Sequence, residues 1–206
     1  MKLMILAQPK TASTSLMHAV GSLTDLSFAQ FFQLKLSNNS GVNSVVRFRE
    51  AFPALDYPAL SFFHSDIASF SGFGNLESIM SADICKQHLP PTKANVDHLR
   101  KVPKVLLIRK PRETVESYRR VTGLGLHIMR LLKDEDFCQR LEQELDNWQR
   151  GWLDVAEQDG QTLVLTKDDL VERTAESMTR IMSLMGLDEV EVPSDFELPK
   201  KRYSGG

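Results

Sequence analysis

Two groups of residues in this 206-residue chain have the side chains and the spacing to hold phosphate. The first is Lys10-Thr11-Ala12-Ser13-Thr14-Ser15, a fixed cation followed by small and hydroxylated residues. The second is Arg109 with Ser117, eight residues further on. A forked guanidinium and a hydroxyl together suit a phosphate monoester. Between the two groups stands His88, just before Leu89-Pro90-Pro91. Taken alone, a solitary histidine before prolines reads as structural.

These residues need elements to position them. The five apolar residues from Leu3 to Ala7 read as a short buried strand, stopped at Gln8-Pro9 because proline cannot donate to a sheet ladder. After the turn, Leu16, Ala19, Val20 and Leu23 keep helical spacing. In a strand-loop-helix unit of this kind the unpaired N–H groups of the first helical turn and the helix dipole face whatever the loop holds. With Lys10, Thr11, Ser13 and Thr14 added, that ligand is an anion, and phosphate fits best. The alternative is an ordinary turn with Thr14 or Ser13 as a helix cap.

Around the second group, Pro103 to Arg109 is a continuous apolar run of the kind found in a parallel strand covered on both faces. Pro111 follows at a favourable first helical position. The predicted helix, Arg112 to Val121, carries Val115, Tyr118 and Val121 at three-residue spacing and ends at Gly123 and Gly125. Ser117 falls in its second turn, where side chains tilt back toward the N-terminus, so Arg109 and Ser117 can reach one phosphate.

Further elements are predicted along the chain. Asp83 to His88 reads as a short strand stopped by two prolines, Lys93 to Leu99 and Leu126 to Lys133 as short helices, and Thr162 to Leu165 as a buried strand. Phe137, Leu141, Leu145, Trp148, Trp152 and Val155 form the strongest amphipathic helix pattern, a core stripe. Ala175, Met178, Ile181, Met182 and Met185 mark a last helix closed by Gly186, and the tail from Asp188 is polar and proline-punctuated. From Thr24 to Ser81 the aromatic residues follow no clear period; they line an acceptor pocket or pack the core, and His64 among them reads as structural.

Strands near 3–7, 83–88, 103–109 and 162–165, separated by helices, predict a parallel α/β sheet. Ligands in such sheets bind beyond the carboxyl ends of the strands. That rule puts Lys10, His88 and Arg109 on the same sheet edge.

Composition narrows the function classes. With 42% hydrophobic and 25% charged residues the chain suits one globular domain over 1–206, and a formal net charge of −2 gives no general reason to expect nucleic acid. No segment reads as a membrane span or a signal-peptide core. Cys85 and Cys138 lie far apart without metal-ligand spacing, which predicts buried thiols in a reducing cytoplasm and no metal site.

The first loop is not a Walker A sequence, which needs two glycines and a lysine just before the hydroxyl residue. Pro9-Lys10-Thr11-Ala12-Ser13-Thr14 resembles instead the 5′-phosphosulfate loop of the PAPS-dependent sulfotransferases, P-K-[ST]-G-[ST]-T, with Ala12 at the glycine position. If that position needs a positive φ, alanine is strained there. Either the loop is right-handed at Ala12 or phosphate affinity is reduced. Arg109-Lys110-Pro111-Arg112 with Ser117 resembles the family's 3′-phosphate motif, and Lys86-Gln87-His88-Leu89-Pro90 resembles the K-x-H-[LF]-P motif of its cytosolic-type members. Leu165 to Leu170 is similar to the family's Y-E-D-[LM] strand end, with Lys167 where an adenine-contacting tyrosine is expected. Lys200, Lys201 and Arg202 resemble a basic segment that closes over the 3′-phosphate in longer relatives, or form an exposed basic tail.

The resemblance implies a P-loop-like three-layer sandwich around a central parallel β-sheet. It also implies transfer of a sulfuryl group from PAPS (3′-phosphoadenosine 5′-phosphosulfate), leaving PAP, with no metal. His88 would be the catalytic base, with activity rising through a histidine's ordinary ionisation. Lys10 would stabilise the leaving phosphate. Lys10, Thr11, Ala12, Ser13, Thr14 and Ser15 would hold the 5′-phosphate, and Arg109 and Ser117 the 3′-phosphate. The expected partner is a small-molecule or carbohydrate acceptor, with a homodimer left open. Two other readings stand beside it: a P-loop nucleotide or small-molecule kinase, and a non-catalytic nucleotide-binding module.

Overall fold

Alternation along two apolar strands builds the centre of the molecule, seen here in a computed structural model that describes residues 2–8, 10–30, 83–120, 130 and 132–199. In β1 (Leu3–Ala7), Leu3, Ile5 and Ala7 enter one core cluster while Met4 and Leu6 enter another. In β4 (Lys104–Ile108), Val105 and Leu107 join the first cluster, Leu106 and Ile108 the second. Successive side chains of a strand point to opposite faces, so a strand buried on both faces must be apolar throughout. Each such side chain, fully buried, contributes roughly 1.5–3 kcal/mol.

Among the described residues the sheet has five strands in the order β2-β3-β1-β4-β5, with every pairing parallel. The other strands are β2 (Phe28–Gln30), β3 (Ile84–Gln87) and β5 (Thr162–Thr166). Strands β1, β3, β4 and β5 are those expected from the sequence, within two residues. Strand β2 was not resolved from its surroundings there, because three residues are too few to show a period.

The helices are α1 (Ser13–Thr24), α2 (Lys93–Leu99), α3 (Pro111–Arg119), α4 (Glu135–Gln158), α5 (Lys167–Glu172) and α6 (Thr174–Leu184). The first core cluster joins the sheet to α1 and α6; the second joins it to α2 and to Trp148 and Trp152 of α4. Helices therefore cover both sheet faces, the three-layer α/β arrangement expected. A third cluster, including Val115, Phe137, Leu141 and Leu145, packs α3 on the first half of α4. The sequence expectation for α4 holds because its apolar residues recur every three or four positions and Asp134 caps it through the N–H groups of Asp136 and Phe137.

Two expectations change. Lys167 opens a short helix, α5, where the sequence suggested only a strand end; Thr166 and Asp169 close a capping box that starts it. The tail after α6 is not merely polar: Leu187, Val190, Val192, Phe196 and Leu198 pack against the first core cluster. Its turn is a Schellman motif, with Leu187 N–H bonded to the Met182 carbonyl at 2.9 Å, Gly186 N–H bonded to Ser183 at 3.0 Å, and Gly186 at φ 69°. The helix expected over 126–133 falls largely outside the described residues, and 132 and 133 lie in a turn. The aromatic segment from 31 to 82, with His64, and the basic residues 200–202 also lie outside them. Among the described residues no helix is long and apolar enough to cross a membrane.

Candidate active site

The carboxyl ends of β3, β1 and β4 are neighbours in the sheet, and the three segments singled out in the sequence leave from them. Gln8, fully buried at the end of β1, joins two of them. Its N–H donates to the Leu107 carbonyl at 3.0 Å and its Oε1 accepts from Arg109 N–H at 2.8 Å. Its Nε2 donates to the Leu145 carbonyl of α4 at 2.9 Å. Sequence reading passed over Gln8 as a mere strand terminator, although a polar residue directly after a buried strand was the available signal.

The loop that follows is held by its own backbone. Thr11 is fully buried and its hydroxyl donates to the Gln8 carbonyl at 2.6 Å, closing the turn. Lys10 and Ala12 both have positive φ, 63° and 64°, so the loop is left-handed at Ala12. Of the two alternatives raised by the sequence, a right-handed loop is therefore wrong. A left-handed non-glycine residue costs roughly 1–2 kcal/mol. The Ala12 methyl packs against the first core cluster, which offsets part of that. Helix α1 starts at Ser13 without a side-chain cap, and Leu16 N–H bonds to the Ala12 carbonyl at 3.0 Å to close its first turn. The amides of Ser13, Thr14 and Ser15 precede the first intrahelical donor. Ser13 is buried, while Thr14 and Ser15 are half-buried.

Arg109 leaves β4 and reaches back to this loop. Its Nη1 donates to the Lys10 carbonyl at 3.1 Å, and its Nε pairs with Glu113 of α3 at 3.3 Å. That hydrogen bond holds the Glu113 carboxyl below its ordinary range. Ser117 is half-buried in the second turn of α3, as expected. Its neighbour Tyr118 presents its ring to the Lys10 ammonium, 5.3 Å from the centroid, within cation–π range. Partial burial lowers the Lys10 pKa. Tyr118 had been read only as part of an apolar stripe; nothing in the spacing tied it to Lys10.

His88 follows β3 and turns toward β1. Its Nδ1 lies 2.6 Å from the Ala7 carbonyl. A carbonyl only accepts, so Nδ1 carries the proton and Nε2 the basic lone pair. Burial pushes the His88 pKa down to about 4, the Lys86 charge adds to the shift, and the bond to Ala7 opposes it. The ring is therefore neutral well below the ordinary histidine range, which corrects the expectation of an ionisation near neutrality. Lys86, two residues earlier and on the same side of the strand, is buried, and its Nζ lies 3.4 Å from Thr14 Oγ1. Burial lowers its pKa to about 8. The sequence quoted Lys86 without giving it a place; period-two alternation with His88 would have found it.

The structure thus brings Lys10, Thr14, Lys86, His88 and Arg109 to one sheet edge through direct bonds between neighbouring segments. Nδ1 of His88 ties the end of β3 to β1, and Arg109 ties the end of β4 to the loop. Lys167, at the start of α5, is half-buried. Cys85 and Cys138 are buried, as expected. No group of three or more metal-ligating side chains occurs among the described residues.

The fold has counterparts among solved structures. The mouse sulfotransferase SULT7A1, solved with PAP, superposes with a TM-score of 0.55 at 12% identity over 90% of this chain and 58% of that one. A sulfotransferase from Alicyclobacillus acidocaldarius gives 0.52 at 12% identity, over 97% of this chain and 86% of that one. The chain has the sulfotransferase fold. It spans 58% of the length of the mouse protein. No protein-family model matches the sequence, and no curated protein matches it. At 12% identity the likeness is one of backbone architecture, and the sulfotransferase fold is what it establishes.

Proposed function

We propose that this chain is a PAPS-dependent sulfotransferase that transfers a sulfuryl group to a hydroxyl of a small-molecule or carbohydrate acceptor in the cytoplasm. One observation carries the reading. The segments after β3, β1 and β4 are bonded to one another at a single edge, through His88 to Ala7 at 2.6 Å and Arg109 to Lys10 at 3.1 Å. A base and two phosphate-binding groups at one edge are what a donor with a 5′-phosphosulfate and a 3′-phosphate requires. The PAP bound by the mouse protein of the same fold supports that donor.

In the proposed reaction His88 Nε2 takes the proton of the acceptor hydroxyl as its oxygen attacks sulfur. The bond from sulfur to the bridging oxygen breaks in line, and PAP leaves. Lys10 stabilises the charge growing on that oxygen. Loop amides, with Thr11, Ser13, Thr14 and Ser15, hold the 5′-phosphate; Ala12 contributes its backbone. Arg109 and Ser117 hold the 3′-phosphate. The Nδ1 bond to Ala7 orients the base, and its low pKa keeps it unprotonated before the acceptor arrives.

The left-handed Ala12 favours one second reading, a nucleotide-binding module without turnover, because strain in the loop opposes tight closure on the reacting phosphate. An acceptor screen with labelled PAPS separates the two: sulfated product is expected, whereas binding of PAP with no transfer to any acceptor would favour the module. Phosphate transfer from ATP in the same screen would favour a kinase.

A further inference from the structure

The Leu89–Pro90 peptide, one residue beyond His88, is held by a helix more than fifty residues further along the chain. Trp148 Nε1 donates to the Leu89 carbonyl at 2.7 Å, and Trp152 Nε1 donates to the same oxygen at 2.8 Å. A carbonyl oxygen has two lone pairs, and here an indole from α4 meets each. Both indoles and Leu89 are buried. The next residues are fixed as well. Asn95 Nδ2 donates to the Pro90 carbonyl at 2.8 Å. Pro91 packs so closely on Gly151 that a Cβ there would come within 2.5 Å of its Cγ. Trp148, Gly151 and Trp152 share one face of α4, because positions three and four apart are neighbours on a helix.

Packing alone does not call for this. Phenylalanine at 148 and 152 would bury similar ring surface without an N–H. Two buried donors converging on one backbone oxygen specify a position for the Leu89–Pro90 peptide, one residue beyond His88.

We propose that Trp148 and Trp152 are positioning residues for His88: their paired indole N–H groups fix the Leu89 carbonyl, and so hold the imidazole where Nδ1 meets the Ala7 carbonyl. The proposal rests on the reading of His88 as the base. Without the two donors the Leu89 carbonyl turns to find other partners and the peptide moves with it. A displacement of about 1 Å at a reacting group can cost about a hundredfold in rate.

The test uses Trp148→Phe, Trp152→Phe and the double variant, which delete the N–H groups and keep one aromatic ring at each site, smaller than the indole it replaces. Nitrogen NMR of the His88 imidazole, assigned by its loss in His88→Asn, reads the tautomer without any acceptor. Wild type is expected to hold the proton on Nδ1, and the double variant to show a mixture. In parallel, PAPS hydrolysis is followed with water as acceptor: water oxygen bonds to sulfur, the bridging bond breaks, the proton passes to His88, and PAP and sulfate leave. The double variant should lose about ten- to a hundredfold in kcat while its Kd for PAP stays within about twofold. Should the double variant not fold, the single variants carry the same readings with smaller effects.

An unchanged tautomer and wild-type kcat in folded variants, with His88→Asn inactive, would overturn the positioning role and leave the base assignment standing. If His88→Asn turned over like wild type, the base assignment would fail. The tautomer measurement would then still decide whether the indoles position the ring.

Discussion

The end of β3 and the loop after β1 lie side by side, yet they are held by opposite means. The segment from His88 to Pro91 takes its conformation from the distant Trp148 and Trp152, from Asn95 just beyond it, and from the close approach of Gly151. The loop from Gln8 to Ser15 is tied to its neighbours by Arg109 and Lys86, but its turn is shaped locally, by Thr11 bonding back to Gln8 and by two left-handed residues, Lys10 and Ala12. A base must present one nitrogen at one depth, and tertiary hydrogen bonds define that. A phosphate cradle must present backbone amides, and backbone geometry defines those, with a conformational cost of roughly 1–2 kcal/mol per left-handed residue. One region is anchored from outside and the other carries strain within itself.

Substitutions should separate the two regions. The largest effect is expected at the anchored one: His88→Ala should lower turnover on the order of 10²–10⁴-fold and leave PAP affinity nearly unchanged. Loss of turnover and PAP affinity together, seen by kinetics and calorimetry, would make His88 structural. At the phosphate-binding side, Arg109→Ala should weaken PAP by roughly 1.5–3 kcal/mol, and adenosine 5′-phosphosulfate, which lacks the 3′-phosphate, by much less. Equal losses for both nucleotides would mean that Arg109 supports the loop through Lys10 and does not read the 3′-phosphate.

Acidification provides a third comparison. In the unfolded chain His88 titrates at its ordinary value of 6.5, whereas in the folded protein burial holds it at about 4. Between these values the unfolded state binds the extra proton, so this contribution to stability is complete above 6.5 and falls away as pH drops toward 4. Going from pH 7 to pH 5 should cost on the order of 1–2 kcal/mol through this group. Urea unfolding of wild type and His88→Asn at both pH values isolates the term, and an identical loss in the two proteins would contradict it.

The strained loop yields the smallest effect. Ala12→Gly relieves the left-handed backbone but loses a packed methyl, worth about 0.8 kcal/mol, and gains unfolded-state entropy, worth about 0.4–1 kcal/mol. The terms nearly cancel, so its melting temperature should stay near wild type. Ala19→Gly, in the helical interior of α1, has no strain to relieve, loses a methyl buried in the same cluster and should cost about 2 kcal/mol. Equal destabilisation by the two changes would show that Ala12 carries no strain.

The contrast also explains what could be read from the sequence. Leu3–Ala7 and Val105–Ile108 were legible because burial on both faces favours unbroken apolar runs, and α4 because its stripe recurs over 24 residues. Lys10, His88 and Arg109 were placed on one edge by the parallel topology alone. The bonds between Gln8 and Leu145, Lys10 and Tyr118, and Leu89 and the two tryptophans were not legible, since each joins segments far apart in the chain and leaves no local period. Trp148 and Trp152 were correctly read as core; the rings are buried while their N–H groups serve His88. Strand β2 and helix α5 were too short to show periodicity, and α5 depends on a capping box at Thr166 and Asp169 that reads equally well as a strand end.

The central claim, that these three segments form one site for a 3′-phosphorylated nucleotide, is tested most directly by thermal unfolding with PAP and, separately, with ATP and Mg²⁺. At a hundredfold excess over its Kd, PAP should stabilise the fold by about 2.7 kcal/mol, with a much smaller shift from ATP, which lacks the 3′-phosphate proposed to meet Arg109 and Ser117. A shift with ATP and Mg²⁺ and none with PAP would contradict the account.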